Sequence, residues 1–491
     1  MNYRQFPSLA AALCFIGCTQ TDLASAPEPW LADYRKATEF LAENYANLDW
    51  AAERQELDLE ALTATTEEAL KAAATGADRQ AVLQDFIESF GDPHLLLGPI
   101  ENRKDSHRSE DYLALDPSQT AEVVCADIGF SIDNQPVRLD FGLDALTEGS
   151  EGPHFDAFDD LENSFGAGIL TVAEKRFGYI RIPSFVTQRY PNACHVAWQT
   201  LVDNQGTTAL NKRRIRDLIN TDIPNQLLSD FAEHLQSFHD LQADTVLIDL
   251  TDNGGGTDWV DPLARLVGGA QLTCPLQRVP RSDAWSSMFR SMRRDVRRDL
   301  NRARTLSPSQ QSILQDAIAR LDVLIDETDD RCTDDQLSLA RNCNRLTDAP
   351  FYACGVFGAS PGQDMTELDS RNSLFKADGY ELPIAPQIPR PILIVDGHTA
   401  SASEIFVAML RDDDRALVIG SKTYGAGCGY VGEDSYVTLE NFQLELWAPN
   451  CQRLRADGRN EADGIAPDVS IDWAPYDAPI ARLTQLLAVL K

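Results

Sequence analysis

Pro391-Ile-Leu-Ile-Val-Asp396, followed at once by Gly397-His-Thr-Ala-Ser-Ala-Ser-Glu-Ile-Phe406, constrains the fold more than any other stretch of this chain. The first segment is a short unbroken apolar run, the pattern of a parallel strand covered on both faces. The second opens a helix near Ser401. Small residues at Thr399, Ala400, Ser401 and Ala402 permit a tight strand-to-helix turn, and free N–H groups at a helix start can stabilise a developing oxyanion. A serine presented there suits acyl transfer, although an isolated Ser-Ala-Ser also reads as a helix N-cap.

Asp244-Thr-Val-Leu-Ile-Asp-Leu250 is a second buried-strand pattern, and it runs straight into Thr251-Asp-Asn-Gly-Gly-Gly256. Three glycines after a strand let backbone N–H groups approach a ligand closely. Taken alone, this is also compatible with an ordinary turn. Together the two segments resemble the C-terminal-processing (tail-specific) serine protease family, whose core carries an Asp-Leu-Arg-x-Asn-x-Gly-Gly loop and a Ser-Ala-Ser-Glu nucleophile turn. Phe177-Gly-Tyr-Ile-Arg-Ile-Pro-Ser-Phe185 is similar to the family's first core strand. Arg415-Ala-Leu-Val-Ile-Gly420 is similar to the strand after the nucleophile helix, and Gly464-Ile-Ala-Pro-Asp-Val469 to the closing segment.

The resemblance implies an α/β fold with a crotonase/ClpP-like core, an N-terminal helical domain and an inserted, partly helical region. It also implies a serine-type endopeptidase that works through an acyl-enzyme on Ser401, with protein or peptide substrates. Relatives with a Ser/Lys dyad carry their lysine between two glycines after the nucleophile helix; here Thr423-Tyr-Gly-Ala-Gly427 puts Ala426 in that place. Lys422 stands one residue before Thr423 and should point elsewhere. The branch that resembles the tricorn protease core uses a histidine and a glutamate instead. Phe90-Gly-Asp-Pro-His-Leu-Leu-Leu97 maps His94 onto that histidine, and Asn460-Glu-Ala-Asp-Gly-Ile-Ala-Pro-Asp468 maps Glu461 onto the glutamate. His94 is then the general base, with Glu461 holding the ring or anchoring the site. The branch has a serine before its histidine, where this chain has Pro93. For the oxyanion hole the expected donors are the Ala402 N–H and one glycine N–H, Gly255 or Gly256 being preferred. Outside the family frame, His94 could be a helix-terminal counter-charge and Glu461 a solvated loop residue.

His398, three residues before Ser401, is a reserve base. His234 and His239 fall on an amphipathic helix and read as packing or surface residues. Cys194-His195 could suggest a thiol dyad, but neighbours in sequence seldom face one another, and an exported chain would place that cysteine in a disulfide. No His-Glu-x-x-His or Cys-x-x-Cys pair occurs, so no metal and no cofactor is expected.

The apolar run Phe6 to Ile16, ending at Cys18, resembles a bacterial lipoprotein signal with Cys18 as the lipidated residue, or a secretion signal cleaved elsewhere. Thr19 after the cysteine favours the outer membrane, so the expected location is the bacterial cell envelope, periplasm-facing or at the surface, or the medium. The eight cysteines beyond Cys18 agree with export. Four of them lie between Cys274 and Cys354, so the unmatched region would be stapled within itself or onto the core. A net charge of −33 argues against nucleic acid as a partner, and membrane association would come only through the lipid anchor. Oligomeric state is not readable.

The organisation that follows is a signal peptide over 1–18, a tether over 19–29, and a helical domain over 30–100. A β-rich connection over 101–175 follows, then the protease core over 176–274 and 386–480, interrupted by the insertion at 275–385, and a C-terminal helix over 481–491. Gly91-Asp-Pro93 stops the last helix of the helical domain and delivers His94. No Gly-Leu-Gly-Phe-like carboxylate-binding loop is present between 121 and 183, which argues against a PDZ module. Arg290 to Arg304 is a basic helical run in an acidic chain, either paired with acidic patches of the same molecule or forming a dock for acidic substrates. The alternative to an enzyme is a catalytically silent family member that binds peptides or hydrophobic ligands, because the resemblance extends to retinoid-carrying proteins.

Overall fold

The structure, a computed structural model, describes residues 27–491 apart from 101–111, 115–119, 131–140, 144–145, 147–151, 159–162, 206–208, 258, 303–305, 333–338, 340–342, 363–364, 366, 433–434 and 474–477. Cys18 and the expected signal segment lie outside the described residues. Among the described residues, no helix is long and apolar enough to cross a membrane.

Four helices open the described chain: α1 (Glu28–Asn44), α2 (Leu48–Arg54), α3 (Leu59–Ala72) and α4 (Gly76–Glu88). The single periodic stretch expected from Leu59 to Phe90 is divided between α3 and α4. Thr75 and Asp78 form a reciprocal capping box that starts α4 afresh. Leu31, Tyr34, Leu41, Phe86 and Phe90 bury against Leu439, Phe442 and Leu446 from the far end of the chain. Strand β1 (Leu96–Pro99) continues that attachment by pairing antiparallel with residues 444–447. The turn carrying His94 is therefore clamped from both sides onto the C-terminal half.

Between residues 101 and 175 the expectation was strands. Among the described residues there are β2 (Tyr112–Ala114), β3 (His154–Ala157) and β4 (Gly166–Val172), but helix α5 (Ala121–Asp127) stands between β2 and β3. Val124 and Cys125 of α5 are buried in the main core, and Cys125 is bonded to Cys194. A tertiary anchor thus decides a segment too short for its period to be read.

The centre is a seven-stranded sheet. In chain order it uses β3, β4, β5 (Lys175–Arg181), β7 (Thr245–Asp249), β10 (Ile392–Val395), β11 (Leu417–Gly420) and β15 (Val469–Ser470). Its spatial order is β15-β11-β10-β7-β5-β4-β3, parallel from β15 to β5 and antiparallel from β5 to β3. One face packs on α6 (Pro191–Gln205), α7 (Lys212–Asp240), α8 (Val260–Gly268) and α12 (Ala402–Asp412). The other is covered by α13 (Pro479–Leu490) with Phe141 and Trp473. Burial on both sides explains why these strands read as unbroken apolar runs rather than alternating ones. The short β6 (Ala209–Asn211) pairs with β2 ahead of α7.

The region 275–385 is built onto this core by a small antiparallel sheet in which β8 (Leu276–Arg278) lies between β9 (Phe351–Tyr352) and β14 (Gln452–Leu454). A helical hairpin, α9 (Asp283–Arg302) and α10 (Pro308–Asp329), leaves that sheet, and the one-turn α11 (Arg371–Leu374) follows. Trp285, Phe289 and Val296 bury against Leu314, Leu321 and Leu324. The basic run pairs within the molecule: Arg290 with Asp329, and Arg293 and Arg297 with Asp322 of α10. Cys332–Cys343 closes a loop inside this region, and Cys274–Cys354 joins it to the core. Hairpin strands β12 (Tyr436–Leu439) and β13 (Leu444–Trp447) complete the sheet that receives β1.

Candidate active site

β10 ends at Val395, and the next residues fold back on themselves. The Asp396 carboxylate accepts the N–H groups of His398, Thr399 and Asp252, which fixes the turn leading to Ser401. Ser401 itself has φ 57° and ψ −114°, a conformation costly for a residue with a Cβ, and α12 starts at the next residue. Strain held at a strand-to-helix turn is the signature of a nucleophile elbow. The turn is held by Glu404, whose carboxylate accepts from the Ser401 N–H (2.9 Å), the Thr423 hydroxyl (2.6 Å), the Gly425 N–H (2.8 Å) and the Ala426 N–H (3.0 Å). Burial, and then the nearby Glu461 charge, push its pKa up to about 7, against the lowering effect of those donors.

The glycine loop after β7 lies directly against this turn. Asn253 is its brace: its amide donates to the Ile182 carbonyl, and its backbone carbonyl accepts from the Ala400 N–H and the Ser403 hydroxyl. A Cβ at Gly255 would stand 2.8 Å from both Ser401 Cβ and the Ala402 nitrogen, so only glycine fits there. The Gly255 N–H donates to Asn253 Oδ1 at 2.9 Å, which removes Gly255 from the two glycines expected as oxyanion donors. Gly256 remains. No hydrogen bond from its N–H, or from that of Ala402, is found among the described residues, and both residues line one cavity of about 190 Å³ with Ser401.

His94 reaches the same region from the N-terminal helices. Asp92 receives the His94 N–H, the Tyr45 hydroxyl and the Asn47 amide, and so ties the turn to α1 and α2. The ring's Nδ1 lies 2.6 Å from the Ala426 carbonyl oxygen and 3.2 Å from that of Cys428. Two acceptors there keep the proton on Nδ1 and leave Nε2 as the basic nitrogen. A Cβ built at Gly429, another residue of the Ser401 cavity, would stand 4.0 Å from Nε2. Burial lowers the pKa of His94 below its ordinary value, and the Arg453 charge acts in the same direction. Ala426, which stands where Ser/Lys relatives carry a lysine, thus supplies the carbonyl that sets the histidine tautomer.

Glu461 is fully buried in a single turn of 3-10 helix, residues 461–463. Its Oε1 is held by Arg453, whose Nε lies 2.7 Å away, and Oε2 has no hydrogen-bond partner among the described residues. Of the two expected arrangements, Glu461 holding the histidine ring or anchoring the site, its described contact is with Arg453 and not with the ring. Arg453 Nη2 in turn donates to the carbonyl oxygens of Ser401 (3.0 Å) and Gly427 (2.7 Å). Sequence reasoning missed Arg453 altogether. It also missed the part played by Glu404 as a hub, although the Ser-Ala-Ser-Glu motif contained it.

The remaining candidates lie elsewhere. Lys422 is exposed, its side chain against Gly464. His398 is 75% exposed and faces Asp252, His234 packs in an aromatic cluster with Phe158 and Phe238, His239 is exposed, and Cys194 is in a disulfide. Asp261, Cys274 and Cys354 cluster tightly enough to resemble a metal site, but the two sulfurs are bonded to one another and cannot act as thiolate ligands.

This geometry places the chain among α/β proteins that present a serine at a nucleophile elbow. The family model of peptidase family S41 matches residues 176–471, well over half of the chain, and the protein belongs to that family of C-terminal-processing proteases. A "Probable CtpA-like serine protease" of Staphylococcus epidermidis is 34% identical over 119 residues, 24% of this chain and 21% of the relative. One of Staphylococcus aureus is 29% identical over 146 residues, 29% of this chain and 28% of the relative. The chain thus spans between a fifth and three tenths of the length of these relatives. The crystal structure of mature CPAF matches with a TM-score of 0.57 at 14% identity, covering 94% of this chain and 96% of that one. CPAF complexed with lactacystin matches at 0.56, 14% identity, 94% and 97%. At these identities the likeness is one of fold.

Proposed function

We propose that the protein is a serine endopeptidase that cleaves protein or peptide substrates, with Ser401 as nucleophile and His94 as general base. The observation that carries this reading is the hydrogen bond of His94 Nδ1 to the Ala426 carbonyl, which presents a neutral Nε2 beside the cavity of a strained serine. Ser401 Oγ attacks the scissile carbonyl while His94 takes its proton. The negative charge on the tetrahedral oxygen is received by the Ala402 and Gly256 N–H groups. His94 then gives the proton to the leaving amine, and water, deprotonated by the same nitrogen, releases the acyl group from Ser401. Glu461 acts through Arg453 as a positioning residue for the turn. No metal or cofactor takes part in this scheme.

Four disulfides among the described residues support export to an oxidising compartment, whether through a lipidated Cys18 or by secretion. The test of the chemistry is a fluorophosphonate probe applied to the purified chain, to Ser401→Ala and to His94→Ala, with the adduct located by mass spectrometry. An adduct on Ser401 that needs His94 is expected. A folded protein that takes no label would favour a silent family member that only binds ligands.

A further inference from the structure

A second cavity, of about 410 Å³, adjoins the one at Ser401 and shares Gln277, Ala353, Lys376 and Val431 as a common wall. Its volume lies in the range of small-molecule sites. Its floor comes almost entirely from the region 275–385: Trp285, Met288 and Met292 from α9, Phe351 and Tyr352 from β9, and Tyr380. Among the described residues lining it, only Lys376 bears a charge, and it stands at the border with the Ser401 cavity. Met288 and Met292 are half-buried, packed on one side against the hairpin core and lining the cavity on the other. The border is fixed by the Gln277 amide, which donates to Cys428 Sγ of the Cys428–Cys451 disulfide, next to the loop that holds His94.

We propose that this cavity is a specificity subsite that receives a large apolar side chain, aromatic or aliphatic, of the peptide whose scissile bond lies at Ser401. The proposal rests on the peptidase reading above. The occupant follows from the continuity of the two cavities and from the lining. A chain lying over Ser401 passes the shared wall within a residue or two, and an apolar side chain loses its hydration there at a gain. A lysine side chain would lose hydration with no carboxylate in the lining to meet it. Methionine walls adapt to side chains of different shape, so phenylalanine and leucine should both fit.

The test separates binding from catalysis. Fluorescein-labelled octapeptides of a Gly/Ser frame carrying one central Phe, Leu, Ala or Lys are titrated against full-length Ser401→Ala protein, with affinity read by anisotropy. Phe and Leu peptides should bind about tenfold or more tightly than the Ala peptide, and Lys no better than Ala. Adding Met288→Trp, which fills the cavity, or Met292→Asp, which makes it polar, should reduce the gap to within about twofold in protein that melts like its parent. Equal affinities for Phe and Ala peptides, or a gap that survives in both folded variants, overturns the subsite. Failure of the peptidase reading would appear separately, as absence of a probe adduct on Ser401 in the otherwise wild-type chain, and would leave the binding result standing.

Discussion

Arg453 Nη2 donates to the carbonyl oxygen of Ser401 at 3.0 Å while the same guanidinium holds Glu461. The strained turn is therefore gripped on both sides, its N–H by Glu404 and its carbonyl by Arg453. Both grips also hold the segment 423–427, which supplies the acceptor for His94. Ser401 and His94 are registered through one loop.

Arg453→Met should cost more than an active-site side chain usually does in stability. It leaves Glu461 charged, buried and unpaired, for which about 3–5 kcal/mol is the expected loss. The double variant Arg453→Met with Glu461→Met removes both charges and should regain a large part of it. Thermal melts of the three proteins check this. A double variant no more stable than Arg453→Met would show that the pair is not the source of the loss.

Gly256 and Gly254 form a matched pair in one loop. A Cβ at Gly256, where φ is 153°, would stand 2.1 Å from the Phe185 carbonyl carbon, whereas at Gly254 it would meet nothing within 4 Å. Gly256→Ala should therefore displace the loop and abolish probe labelling of Ser401. Gly254→Ala should stay within about 0.5 kcal/mol of wild type and keep its labelling. Equal labelling of the two variants would remove Gly256 from the oxyanion hole.

As the proposed base, His94 should set the acid limit of activity. The base must be neutral, and burial lowers its pKa, so kcat/KM should hold as pH falls through the ordinary histidine value near 6.5 and decline only below it. The same depression contributes stability that is complete above pH 6.5 and lost as pH falls through the folded-state value. A pH–rate profile with its acidic limb above 6.5 would contradict the burial described for the ring.

Much of this was legible in the chain and some was not, for physical reasons. Strands such as Ile392–Val395 and Thr245–Asp249 are buried on both faces, so their composition alone reveals them. Ser401 and His94 stand in short motifs with fixed local turns. The partners of those residues depend on contacts that no local pattern encodes: Arg453 reaches Ser401 across 52 positions, and Ala426 meets His94 across 332. Gly255 and Gly256 are adjacent and indistinguishable by residue type, and only the Asn253 side chain, which occupies the Gly255 N–H, tells them apart. Helix α5 was hidden because seven residues give a period too little length to be recognised, and its burial is decided by the disulfide to α6.

Glu404 gives the protein a second pH dependence, of opposite sign. Its folded-state pKa of about 7 stands above the unfolded value near 4.5, so between those pH values the folded state binds more protons than the unfolded one. Stability should then fall as pH rises from about 4.5 to about 7 and level off above, by an amount of order 3 kcal/mol for a fully buried group. The counterpart is Glu404→Gln, which does not titrate. Its amide would also set a donor against the N–H and hydroxyl donors that converge there, so the variant should be less stable than wild type at every pH. Chemical denaturation of both proteins across pH 4.5 to 8 isolates the carboxyl, because every other group titrates in both. If the difference between them is constant over that range, Glu404 does not change its protonation there, and the charge on the hub is not what limits the fold at neutral pH.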